Sequence, residues 1–163
     1  SDGILAGAVA WQEFHFVISG GTNGRYYFRD VDDVYGSAHR WDAYDTTPTS
    51  FSYLHVPGQF TVPENCTLKA MSVTIRNFTS TSNPTISIYH GTPNTNTTSN
   101  TTLALAGSAT EVSITTARRV YNDSETYDVD LSAGDIVVPM VHHDNGLATQ
   151  TIAGGLTLKF ITR

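Results

Sequence analysis

Cysteine is nearly missing from this sequence: Cys66 stands alone among 163 residues, so no internal disulfide can staple the fold, and the plain role for it is a small buried thiol. Charge is scarce too, at 15% against the usual quarter or so of a globular chain. Nine Lys plus Arg are scattered without a run, and the net charge is −6, which argues against a nucleic-acid partner because such binders display a basic patch. No apolar run approaches the roughly 18 residues of a membrane span. The stretch at 4–11 is apolar but short and has no basic residue before it, so it reads as neither signal peptide nor membrane anchor. Absent as well is any sustained 3.6-residue periodicity, which leaves an α/β arrangement without its helices. Because the chain starts at Ser1 and not at Met, it reads as a processed product or a piece of a longer polypeptide.

Thr, Ser, Asn and Gly take the place of the missing charge, a composition shared by extracellular all-β domains and virion proteins. The length suits one domain, residues 1–163, with 1–9 as an N-terminal arm or linker, and a chain of this size buries roughly 70% of its unfolded surface.

The stretch at 60–78, FTVPENCTLKAMSVTIRNF, organises the rest. Pro63 fixes φ and Asn65 tolerates turn geometry, so extended chain should begin afresh near Thr67. From there Met71, Val73 and Ile75 alternate with Ser72, Thr74 and Arg76, the period of a strand buried on one face.

The same reading applies along the chain. Residues 8–19 form a strand with Trp11, Phe14, Phe16 and Ile18 nearly two apart, and the Gly-rich turn at 20–24 predicts that the burst at 25–29 pairs back on it as a hairpin. Residues 30–49 read as a long surface loop, a length that is often functional. Further strands are expected at 50–56, 85–89, 110–116, 126–131, 136–142 and 155–162, with low-complexity or loop chain at 93–102 and 144–153. Pro139 cannot donate to a ladder, which predicts an edge strand or a bulge. The fold expected is all-β, an antiparallel β-sandwich of jelly-roll type with about nine or ten strands. Its inner layer should hold Met71, Val73, Ile75, Ile86, Ile88, Val112, Ile114, Ile136, Val138, Leu156, Leu158 and Phe160.

Chemistry-bearing patterns are sparse. His142 and His143 are adjacent, so on a strand they point to opposite faces and cannot chelate one ion with Asp144 unless the strand has ended in a turn there. Asp30, Asp32 and Asp33 begin like a calcium loop but lack its Gly and bidentate Glu. No Ser sits in a G-x-S-x-G elbow. Sequons at Asn65, Asn77, Asn96, Asn100 and Asn122 follow from the composition. The group Tyr35, Trp41, Asp42, Tyr44 and Asp45, with Tyr26 and Tyr27, is the candidate binding set, because rings stack on the apolar faces of sugars while carboxylates accept from hydroxyls. The commoner role of such rings is in a core or a subunit interface.

The order of motifs resembles a known group. Phe14-His15-Phe16, the Tyr26–Phe28 burst, FTVPENCTL at 60–68, ISIYHG at 86–91, LSAGD at 131–135 and GLTLKF at 155–160 together resemble the C-terminal jelly-roll domains of fibre, spike or capsid-decoration proteins of tailed phages, including marine ones. The likeness covers residues 10–163; Asn65 stands where Gly is usual in that group, and 30–49 is long. What the resemblance implies is a homotrimeric virion-surface appendage in contact with other virion proteins, which attaches to a host surface glycan or protein. Neither enzymatic activity nor a cofactor nor membrane insertion is then required. The rival readings are a carbohydrate-binding module or lectin of a cellular secreted protein, and a hydrolase with a dispersed site.

Overall fold

The computed structural model describes residues 6–19, 24–27, 50–51, 59–77, 83–93, 101–143 and 151–163, fixing backbone alone at 17–19, 24–27, 50–51, 77, 101, 143 and 151. Twelve strand segments run through them: β1 (Val9–Ser19), β2 (Gly24–Tyr27), β3 (Ser50–Phe51), β4 (Phe60–Thr61), β5 (Cys66–Asn77), β6 (Pro84–Gly91), β7 (Thr101–Thr102), β8 (Ala104–Leu105), β9 (Thr110–Glu111), β10 (Val120–Leu131), β11 (Ile136–His143) and β12 (Thr151–Thr162). Among the described residues there is no helix. Sheet one has the order β1-β12-β5-β10; sheet two has β2-β11-β6-β8, with β9 also on β6 and β4 also on β11; β3 and β7 pair apart.

The pairing follows one rule. Take β1, β2, β5, β6, β8, β10, β11 and β12 as eight principal strands: the first pairs with the last, the second with the seventh, the third with the sixth and the fourth with the fifth, always antiparallel. Such a chain is one long folded ribbon whose successive rungs fall alternately in the two sheets when it is rolled up, and that is the jelly roll. The β-sandwich expected from the alternating strands is therefore the observed fold. The predicted hairpin between β1 and β2 is not formed, because these strands lie in different sheets: β1 lies on β12 and β2 on β11. A Gly-rich turn records that the chain reverses, and the rolling decides which strand it meets.

Between the sheets the core is laid down in rungs. Phe14, Leu156 and Val73 stand in register across three strands, followed by Leu158 beside Met71 and by Ile75 beside Gly154, and all of these side chains are buried. Sheet two answers with Ile86, Ile88, Val137 and Val141, and Val112 and Ile114 close the side. Gly154 is dictated by this packing. A methyl there would lie 2.7 Å from the Phe16 ring and 2.6 Å from the Thr74 carbonyl oxygen, contacts no real side chain makes.

β11 corrects the expected inner layer. Ile136 and Val138 are buried, but they lie with Met140, Tyr89 and Leu103 in a second cluster separate from the main core, while Val137 and Val141 of the same strand enter the core between the sheets. Neighbours along a strand point to opposite faces, so this strand is sealed on both, and an unbroken apolar run gives no phase to read. Nor is β11 an edge strand. It lies between β2 and β6, with no shift of register against β6. Its other side is shared, β4 taking Ile136–Val137 and β2 taking Met140–His143, so Pro139 falls at the junction between two partners.

Further boundaries differ from expectation: the strand expected at 110–116 is limited to β9, Thr110–Glu111, and β7, Thr101–Thr102, falls in the expected loop at 93–102. β10 begins at Val120, six residues before the predicted 126, and β12 begins at Thr151 within the predicted loop. Asn122, Asp123, Ser124 and Glu125 are poor strand formers, tolerated because β10 is the edge of sheet one. The same residues protect that edge: β10 carries a bulge between Thr126 and Val129 and an acid at 123, 125, 128 and 130, devices that deter pairing with another chain.

The expected arm at 1–9 is anchored at its described end. Gly7 N–H donates to the Thr162 carbonyl at 2.8 Å, Ala8 N–H to Thr162 Oγ1 at 2.9 Å, and Thr162 N–H returns a bond to the Ala8 carbonyl at 2.9 Å.

Candidate functional site

Alternation in sheet one, read from the register, puts a grid of side chains on its outer face. One row across the strands is His15, Gly155, Thr74 and Asn122; the next is Glu13, Thr157, Ser72 and Ser124; the third is Trp11, Lys159, Ala70 and Thr126. With about 4.8 Å between strands and about 6.8 Å between same-face residues, this grid covers roughly 14 by 14 Å. Its centre is built of short side chains and its β1 border of long ones, so the face is dished.

The low point lies over Gly155. A hollow of about 180 Å³ opens there, lined by Glu13, His15, Ser72, Thr74, Gly155, Leu156 and Thr157. The His15 imidazole lies beside Gly155: a methyl there would sit 3.4 Å from His15 Nδ1 and 3.5 Å from Cε1, contacts within the ordinary range, so packing does not require the glycine. Three hydroxyls, a carboxylate and an imidazole surround the space, giving donors and acceptors on several sides. Beyond Glu13 on the same strand face stands Trp11, 61% exposed, with Lys159 Nζ 5.6 Å from its ring centroid. An exposed indole with a cation over it presents a flat apolar surface, and the contact is worth about 0.5–1 kcal/mol at an open site.

Of the residues singled out from the sequence, Tyr35, Trp41, Asp42, Tyr44 and Asp45 lie outside the described residues, as does the stretch with Asp30, Asp32 and Asp33. Tyr26 and Tyr27 lie on β2, opposite Val141 and Met140. His142 and His143 are consecutive on β11, and among the described residues no group of three His, Cys, Asp or Glu is placed to hold a metal ion. Cys66 is buried, and desolvation pushes its thiol up against a smaller opposing pull from Arg163, which makes it a packing residue and a poor nucleophile. Tyr127 is likewise shifted up, first by burial and then by Glu125; its hydroxyl donates to Met71 Sδ at 3.8 Å.

Asn65, which stands where the resembled group has Gly, has a structural role. Its Oδ1 accepts from Ala133 N–H at 3.0 Å and its carbonyl from Arg163 N–H at 3.0 Å. The turn after β10 is closed by Asp135, whose carboxylate accepts from Ser132 N–H at 2.8 Å and from Thr92 Oγ1 at 2.7 Å. Burial holds the His90 imidazole below its ordinary value, and Asp135 offsets part of this.

Sequence reasoning passed over Glu13, His15, Gly155 and Trp11. The approximate spacing of Trp11, Phe14 and Phe16 suggests one face, but the odd position of Trp11 places it on the opposite one. A signal did exist: two consecutive glycines in the middle of a strand, where glycine is unfavourable, mark a place of close approach.

No protein-family model matches this chain, and no curated protein matches it in sequence. Solved structures similar to it include that of the infectious bursal disease virus Gx strain, at 8% identity and a TM-score of 0.33, aligned over 93% of this chain and 38% of that one. A family two carbohydrate esterase from Cellvibrio japonicus aligns at 9% identity and a TM-score of 0.28, over 93% of this chain and 36% of the esterase. The chain thus spans little more than a third of either, and at these scores no function passes from them to it.

Proposed function

We propose that the chain is a structural and attachment domain of a virion, a fibre, spike or capsid-decoration module that works as a homotrimer at the virion surface and binds the host cell surface without catalysing a reaction. The observation that carries this reading is the outer face of sheet one: short polar side chains at Ser72, Thr74, Thr157, Asn122 and Ser124, bordered by Glu13, His15, Lys159 and an exposed Trp11, on a sandwich whose other sheet carries a second buried apolar cluster. A face of that kind suits reversible adhesion to a hydrated partner, since neutral polar groups are desolvated at far lower cost than charges. The low charge and the order of motifs shared with phage appendage domains support the same reading. A carbohydrate-binding module of a cellular protein is the second reading, and the hollow over Gly155 is the observation in its favour.

Light scattering at micromolar concentration tests the oligomer, with three times the 17.7 kDa chain mass expected; a mass near one chain discards the trimer. Labelled protein should bind host cells and should release no product from surface glycans. Released product would move the chain to the hydrolases.

A further inference from the structure

We propose that the hollow over Gly155 is a saccharide site that takes a neutral pyranose ring, with a further sugar of the same oligosaccharide lying against Trp11. This rests on the attachment reading above and gives it a ligand class and a place. Four observations converge.

The first is the glycine. Gly155 has no left-handed backbone, and a Cβ there would make only ordinary contact with His15, so neither conformation nor packing demands it. Gly154, next to it, is demanded by the Phe16 ring and the Thr74 carbonyl. A glycine in a strand interior that the fold does not need marks a place where a ligand comes close to the backbone.

The second is the chemistry of the walls. Ser72, Thr74 and Thr157 each donate one hydrogen bond and accept others, Glu13 as a carboxylate accepts without donating, and His15 offers a donor and an acceptor when neutral. Sugar hydroxyls also donate and accept at once, in pairs on adjacent carbons, which this mixture complements.

The third is Trp11, exposed on the same strand face as Glu13 and His15 and two rows, about 14 Å, from the row of Gly155, within reach for a further sugar of an oligosaccharide to lay its apolar C–H face on the indole. Lys159 lies over that ring from its own row.

The fourth is charge. Glu13 in the wall and a net charge of −6 disfavour an acidic sugar. The two-residue acid and imidazole pair also falls short of a metal set among the described residues. A second copy of the chain fits the face less well, because a flat protein surface would leave the recess unfilled.

The test is an amide correlation spectrum of the isotope-labelled chain, titrated with the methyl glycosides of glucose, galactose and mannose, and with N-acetylneuraminic acid as the acidic comparator. Saturable shifts are expected at the amides of His15, Thr74, Gly155 and Thr157 with at least one neutral glycoside. Loss of a charge-assisted hydrogen bond in Glu13→Gln and filling of the floor in Gly155→Ala should each weaken binding roughly tenfold or more, with an unchanged or higher Tm for the glycine variant. The proposal is overturned by saturable shifts confined to other residues, by no shift with any neutral glycoside, by tighter binding of the acidic sugar, or by full binding in Gly155→Ala. It is overturned too if those amides shift with protein concentration alone and the oligomer falls apart in Gly155→Ala, which would make the face a contact between copies. Cell attachment that survives Gly155→Ala discards this site and leaves the attachment reading standing; cells that never bind the wild-type chain discard the attachment reading itself.

Discussion

The outer faces of the two sheets are opposites. On sheet one, Ser72, Thr74, Ser124 and Asn122 stand exposed in the register positions between buried rungs. On sheet two, Ile136, Val138, Met140 and Tyr89 are buried with Leu103 in a cluster of their own. A sandwich needs one apolar face per sheet. Among the described residues sheet two is thus apolar on both faces, and sheet one is the sheet with a polar face to present. Position in the fold, more than any single residue, decides where a binding surface can be.

The comparison can be broken at its strongest point. Ile75→Ala and Leu158→Ala, between the sheets, should each lose about 2–5 kcal/mol in chemical denaturation, and Met140→Ala, on the outer face of sheet two, should lose as much. A Met140→Ala loss below about 0.5 kcal/mol would mean that this face is open after all. The adjacent glycines sharpen the contrast across one sheet. Gly154→Ala forces the Phe16 ring and should cost about 1–3 kcal/mol, whereas Gly155→Ala should be neutral or stabilising by up to about 1 kcal/mol; equal effects would contradict the assignment of their faces.

A pair of near-isosteric swaps follows. Val138→Thr places a hydroxyl in the buried cluster and should cost about 1–3 kcal/mol, while Thr74→Val on sheet one should stay within about 0.5 kcal/mol, both read from denaturation midpoints. The smallest effect is one of pH. Burial lowers the His90 pKa in the fold, so the unfolded chain binds the proton more readily; stability is present above the ordinary value of 6.5 and is lost as pH falls through the folded value. Midpoints measured from pH 7.5 down to 5 should decline, and His90→Gln should flatten that slope.

The same contrast explains what could be read from the sequence. β5 was legible down to its faces, because Met71, Val73 and Ile75 alternate with polar residues and the strand is buried on one side. β6 gave up Ile86 and Ile88 because Ser87 between them marks the phase, although Ser87 and Tyr89 on its other face are buried as well. β11 did not: IVVPMV has no polar residue to set its phase, and the pattern of a strand sealed on both sides is the same whichever face is inner. The partner of β2 was illegible because local turn chemistry carries no information about a strand more than a hundred residues away. The site was missed for a related reason. Glu13 and His15 meet Ser72, Thr74 and Thr157 through pairings between the first strand, a middle strand and the last, and nothing in their spacing along the chain shows that they are neighbours.

That first-with-last pairing also governs how the molecule can come into being. β12 fills the gap between β1 and β5, so during synthesis both strands wait, unjoined, until residues 151–162 have left the ribosome. At about 5–20 residues per second that is a wait of several seconds with apolar faces and open edges exposed. The acid-bearing, bulged β10 then guards one side of β5 before there is a native state at all, while the side that β12 will take stays open until that strand arrives.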